Sequence, residues 1–344
     1  IGTTNPNAVV TSGNTQKLSV GIVSAYMLYG CGANITGIDA GFEPDDDENL
    51  VAGTQAGANL DGSSGCFNIL LGSCAGKAVA SGEANVYIGL CAGCCATGSK
   101  NIGIGNRAAS AISSGVNNVF MGNYAGAFDT GVGSPTITGD RNIAIGLVAG
   151  RSITSGYDNI ALGCHSFVLG TTGNNNISIG CGAMKFGVVT GQENIGLGRN
   201  VMCCLTGGNF NIAMGLNAGK TISSGTENIF LGCSAGANDT ITGSYNHMFG
   251  KNAGADLTSG YRNNAMGNSA LEDVSTGRCN VAIGPQSGNK VTTGCNNITL
   301  GAFAGCLIAG GNDNIFFGDS AGRNTADANK NIFIGSCAGK SNTS

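Results

Sequence analysis

Cysteine is the residue with the most chemistry to offer here, at 15 copies in 344 residues. A thiol can pair as a disulfide, ligate a soft metal or act as a nucleophile, and its spacing and surroundings decide which. The same interval separates Cys74 from Cys91 and Cys164 from Cys181, while Cys94 and Cys95, and Cys203 and Cys204, are adjacent. No CxxC recurs with a second pair or with histidine at ligand spacing, the lone Cys91/Cys94 being too little, so no metal site is expected. Because 15 is odd, at least one thiol cannot pair within the chain. The two histidines, His165 and His247, lie far apart in the chain, and no Ser-His-Asp grouping or carboxylate pair accompanies either. Nothing meets the requirements of a catalytic site, and neither an enzyme nor a cofactor is expected. Asp45, Asp46, Asp47 and Glu48 follow Pro44 as the one acidic run. They lack the alternation of a calcium-binding loop, and a solvated connection is expected there.

Composition narrows the class further. With 42% apolar and 10% charged residues the chain should fold rather than stay disordered. Lys and Arg number 16 against 20 Asp and Glu, so no basic stripe is present and no nucleic-acid partner is expected. Polar residues or glycine interrupt every apolar run, so no membrane insertion is expected.

The interval between the paired cysteines is that of the whole chain. Aligned on G-x-x-N-[I/V]-x-[I/L/M/F]-G-x-x-A-G, the sequence has seventeen Asn anchors, among them Asn68, Asn85, Asn142, Asn159, Asn211, Asn297 and Asn331, running from Asn49. Most anchors follow one another at a 17-residue period; one longer gap, between Asn118 and Asn142, holds an insertion near 127–140 around Gly131, Gly133 and Pro135. Four positions after every anchor stands glycine, as at Gly72, Gly89, Gly146, Gly163, Gly215, Gly301 and Gly335. Such invariance implies a positive φ or a turn too tight for a Cβ. Gly-rich stretches such as Gly103 to Gly105 recur in every repeat and precede no helix, so they are not phosphate loops.

Apolar residues at +1 and +3 from the anchor, as in Ile143 and Ile145, predict a strand with that pair facing inward. His247 takes the +1 position of its repeat and is expected to pack there as a variant of the row. An apolar residue at +11, as in Val79, Ile112 and Ile222, predicts a second short strand. The fold class expected is therefore all-β: a parallel β-solenoid or β-roll of about 17 coils at residues 49–344, roughly 80 Å long at about 4.8 Å per coil, preceded by a segment at 1–48. The stacked anchors should form an amide ladder. Alanine at +7 suits a thin cross-section, and aromatics at +2, such as Tyr87, Phe120 and Phe230, would face outward and pack between chains. Coil stacking places Cys74 beside Cys91 and Cys164 beside Cys181 within disulfide range, while a reducing cytosol would keep them free. Ser/Thr pairs such as Thr154-Ser155 are turn residues rather than an ice-binding row, since neighbours on a strand point to opposite faces. The sequons at Asn176 and Asn297 fall on anchors, where no glycan fits. The chain opens on Ile1 with no signal-like stretch and closes on Lys340 to Ser344 with no capping helix, so it reads as part of something longer.

Three N-terminal stretches, Ile1 to Pro6, Lys17 to Val20 and Tyr29 to Ile38, resemble segments of bacteriophage tail fibres, particularly marine ones, with Cys31 standing where aspartate is usual. The anchored repeat resembles repeats in the same fibres and is similar to the head repeats of trimeric autotransporter adhesins. The resemblance implies a homotrimeric, extracellular virion fibre joined to other tail or baseplate proteins, a rigid shaft presenting a receptor-binding tip, with contact to host surface glycans. The alternative is a secreted bacterial adhesin or self-assembling filament built from the same coils.

Overall fold

The computed structural model describes residues 44–127, 136–327 and 329–342. The N-terminal motifs at Ile1, Lys17 and Tyr29, Cys31 and the tip of the insertion lie outside them. Among the described residues the protein is all-β, a solenoid of seventeen three-residue strands in one parallel sheet. They begin with β1 (Leu50–Ala52) and β2 (Ile69–Leu71) and end with β17 (Ile332–Ile334). Each strand pairs with the next repeat in register: β7 (Ile160–Leu162) and β8 (Ile177–Ile179) place Ile160 beside Ile177 and Leu162 beside Ile179. The longer gap after Asn118 leaves this register intact, since β5 (Val119–Met121) still pairs with β6 (Ile143–Ile145) and Ile137 bridges to Ile112.

The strand faces are the reverse of those expected. The central residue, at +2, is the inward one: Tyr87, Phe120, Phe230 and Phe316 are fully buried, and Phe316 stacks on Phe333 with centroids 5.2 Å apart. The flanking +1 and +3 residues point out of the coil. A period of two fits either assignment, and cross-section decides between them. So short a coil has room for one strand side chain beside its +7, +8 and +11 rows, not for two bulky ones.

The expected second strand also does not form. The +11 row is buried, including Val79, Ile112, Ile153, Ile222 and Leu257, but among the described residues only two isolated bridges mark that side. Its backbone converges instead of running straight: the N–H groups of Thr206, Gly207 and Gly208 all donate to the Ser223 carbonyl at 3.1 Å, joined by the Thr206 hydroxyl at 3.0 Å. The Ser/Thr positions thus bond from coil to coil, as Thr154 Oγ1 to the Thr171 carbonyl and Thr258 Oγ1 to the Ser275 carbonyl.

Left-handed backbone closes each coil. The residue before the anchor, +6 and +8 all have φ between 44° and 68°, and the glycine at +4 has φ of 120–147°. At +4 both explanations offered by the sequence hold together: a Cβ on Gly215 would sit 2.7 Å from the Gly232 carbonyl oxygen, and its φ of 132° is one that L side chains rarely adopt.

The core is filled by an exchange between +2 and +8. Where +2 is large, +8 is glycine, as in Tyr87/Gly93, Phe120/Gly126 and Phe230/Gly236, and a Cβ added to that glycine would meet the ring. In other coils a small +2 residue goes with a large +8, as in Ala161/Phe167, Ser178/Met184 and Gly196/Met202, whereas Ala144/Gly150, Ala213/Gly219 and Ala282/Gly288 are small at both. In no coil are both positions occupied by large side chains, so the two feed one volume.

Candidate functional site

The outward +1 and +3 side chains of successive strands stack into two adjacent rows of Ile, Leu, Val, Met and Phe running the length of the sheet. Most are half-buried by their neighbours, and several are open: Ile145 at 40%, Met214 at 44%, Met266 at 52% and Phe317 at 55% exposure. Two polar residues interrupt the rows, His247 on β12 (His247–Phe249) and Asn264 on β13 (Asn264–Met266). They are register partners, and His247 Nδ1 lies 2.9 Å from Asn264 Oδ1. His247 therefore does belong to the +1 row, but faces outward with it instead of packing inside. Beside it an open depression of about 460 Å³ is lined by Phe210, Ile212, Glu227, Ile229 and His247. An apolar surface this continuous is more than monomeric soluble proteins usually expose.

Behind this face runs the Asn row. Asn211 is typical: its N–H and Nδ2 both donate to Asn194 Oδ1 at 3.0 Å, and Nδ2 also donates to the Gly225 carbonyl at 2.8 Å. Its own Oδ1 accepts from the N–H and Nδ2 of Asn228 at 3.0 and 3.1 Å. Asn68, Asn85, Asn142, Asn159, Asn297 and Asn331 each accept or donate in the same way, the first five with essentially no exposure. Asn176 and Asn297, the sequon residues, are rungs too. At Asn85 the Tyr87 hydroxyl supplies a donor to Oδ1, at 3.3 Å. Burial pushes that phenol well above its ordinary pKa.

The acidic run holds a residue that sequence reasoning missed. Asp45 accepts from the Asn49 N–H at 2.8 Å and from Asn49 Nδ2 at 3.2 Å, so its carboxylate occupies the place an Asn amide oxygen takes in the other rungs. Its position just ahead of the first anchor was the available signal. Asp46 and Glu48 are exposed.

All fourteen described cysteines are free thiols. Cys74 Sγ is 3.7 Å from Gln55 Oε1, its counterpart one coil earlier, and Cys91 is half-buried one coil on. Cys164 Sγ lies 2.9 Å from His165 Nδ1, and Cys181 is exposed in the next coil. The adjacent pairs touch within their own coils, Cys94 to Cys95 at 3.7 Å and Cys203 to Cys204 at 3.6 Å. The hydrogen bond with Cys94 pulls the Cys95 thiol down to about 6 and pushes Cys94 up. Among the described residues no cluster of His, Cys, Asp and Glu is arranged to hold a metal ion, and no helix is long and apolar enough to cross a membrane. Compared with protein-family models the chain matches none, and no curated protein matches it in sequence.

Proposed function

We propose that this chain is a shaft segment of a bacteriophage tail fibre, a homotrimer that holds a receptor-binding tip away from the virion and joins other tail or baseplate proteins. The observation that carries the reading is the outward apolar face. At about 4.8 Å per strand and about 10 Å per three-residue strand, seventeen strands present roughly 800 Å² of face per chain, to be shared between its two neighbours in a trimer. The face is a long narrow ridge, and three such ridges close around an axis with each meeting two others. Stiffness comes from the sheet and the amide ladder running unbroken beside that axis, so the work is presentation rather than chemistry.

Contact with host saccharides would fall on the turns that precede the anchors, where an open groove of about 460 Å³ is lined by Thr242, Ser244, Tyr245, Ser259, Tyr261 and Arg262. Arg262 lies over both tyrosine rings at about 6 Å and Arg278 over that of Tyr261 at 5.9 Å, so the groove offers guanidinium and hydroxyl groups to a sugar. Light scattering coupled to size exclusion tests the assembly. Three times the chain mass of 34.0 kDa, eluting early for its mass and unchanged by reductant, supports the trimer. A species of 34.0 kDa overturns it, and open-ended polymers move the reading to a self-assembling filament.

A further inference from the structure

We propose that Cys164 and Cys181 close a disulfide between adjacent coils, and that His165 drives it by accepting the Cys164 proton during exchange with a small-molecule disulfide. The inference is independent of assembly state and rests on what surrounds these two thiols. The register fixes them as partners: Gly180 N–H donates to the Leu162 carbonyl at 2.8 Å and Gly182 N–H to the Cys164 carbonyl at 2.9 Å, which sets Cys181 directly beside Cys164 in the stack. Parallel neighbours about 4.8 Å apart lie inside the Cα separation a disulfide spans.

The imidazole distinguishes this pair from the others. His165 Nδ1 is 2.9 Å from Cys164 Sγ, within reach for direct proton transfer. Desolvation, then the charges of Lys185 and Arg151, hold the ring below its ordinary pKa, so the neutral base is present at neutral pH. Cys74 and Cys91 share the one-coil offset but have no histidine beside them, which makes them an internal comparison. Cys94 with Cys95 and Cys203 with Cys204 are neighbours in one coil and cannot join coils.

The exchange balances in two steps. Cys164 sulfur, its proton passing to His165, attacks one sulfur of the oxidant, forming a mixed disulfide and releasing one thiolate that takes up a proton. Cys181, losing its own proton, then attacks the Cys164 sulfur and releases the second thiol. One disulfide is reduced to two thiols and two cysteine thiols are oxidised to one disulfide.

The test uses the full chain, reduced, freed of reductant and exposed under native conditions to oxidised glutathione, with timed alkylation and peptide mapping by mass spectrometry. The Cys164–Cys181 linked peptide is expected first, ahead of any Cys74–Cys91 link. In Cys181→Ser, glutathione should accumulate on Cys164. In His165→Asn, a residue that accepts the left-handed backbone of that position, Cys164 modification should slow by roughly tenfold or more. Oxidation of Cys74–Cys91 as fast as Cys164–Cys181, or a His165→Asn rate equal to that of the parent, overturns the proposal.

Discussion

At the scale of single residues, stability rests on buried amides and on backbone held in uncommon conformations. Replacing Asn211 by alanine leaves the Asn228 N–H without its acceptor and the Gly225 carbonyl without its donor, and should cost about 3 kcal/mol, read as a shift in denaturant midpoint. The opposite sign is expected at Val148, a β-branched residue at φ 60°. Val148→Asn relieves a conformation that valine adopts at a cost and should stabilise by about 1 kcal/mol in the same assay. Thr325 stands in the buried row filled by Val, Ile and Leu elsewhere, and its hydroxyl has no partner among the described residues. Thr325→Val should therefore raise the melting temperature, by about 1 kcal/mol of stability. The left-handed positions before the anchor and at +6 carry Gln55, Tyr124, Val148 and Arg262 as readily as Asn. No single residue type announces them, although the recurrence of Asn or Asp at Asn117, Asp158, Asn175, Asn200, Asn217 and Asn296 was the trace they left.

At the scale of the coil, the exchange between +2 and +8 predicts strong coupling. Phe167→Gly empties the core of its coil and should cost about 3 kcal/mol, while Ala161→Phe alone overfills it and should cost a similar amount. Together the two reproduce the Phe120/Gly126 arrangement, and the double variant should recover most of the loss; simple additivity of the two costs would show that the positions do not share a volume. What could be read of the coil beforehand divides along the same line. The anchor and its glycine recur without exception because hydrogen bonding and close approach admit one residue each, so both were legible. The inward face was not, because alternation carries no sign, and aromatics at Tyr87 or Phe120 look the same from either side. Nor was the missing strand at +11: its burial is written in Val79 and Ile112, but three N–H groups converging on one carbonyl is a backbone arrangement without a side-chain signature. Asp45 was visible as charge and hidden as a rung.

For the whole molecule, one substitution separates folding from assembly. Ile145→Lys changes an outward residue at 40% exposure, so the coil should keep its stability within about 0.5 kcal/mol. In the proposed trimer the same lysine would be buried without a counter-charge, and the assembled fraction in light scattering should fall at least tenfold. Unchanged assembly would place the subunit contact on another face. Because every strand pairs only with its sequence neighbours, a coil adds to the stack using contacts a single repeat away, and the structure can grow as the chain is synthesised. The in-register pairing has a genetic consequence as well. Loss or gain of one whole repeat rejoins Asn to Asn and glycine to glycine, leaving every row continuous. Unequal recombination between repeats would then lengthen or shorten the solenoid by about 4.8 Å at a time, a ruler whose divisions are written in the DNA.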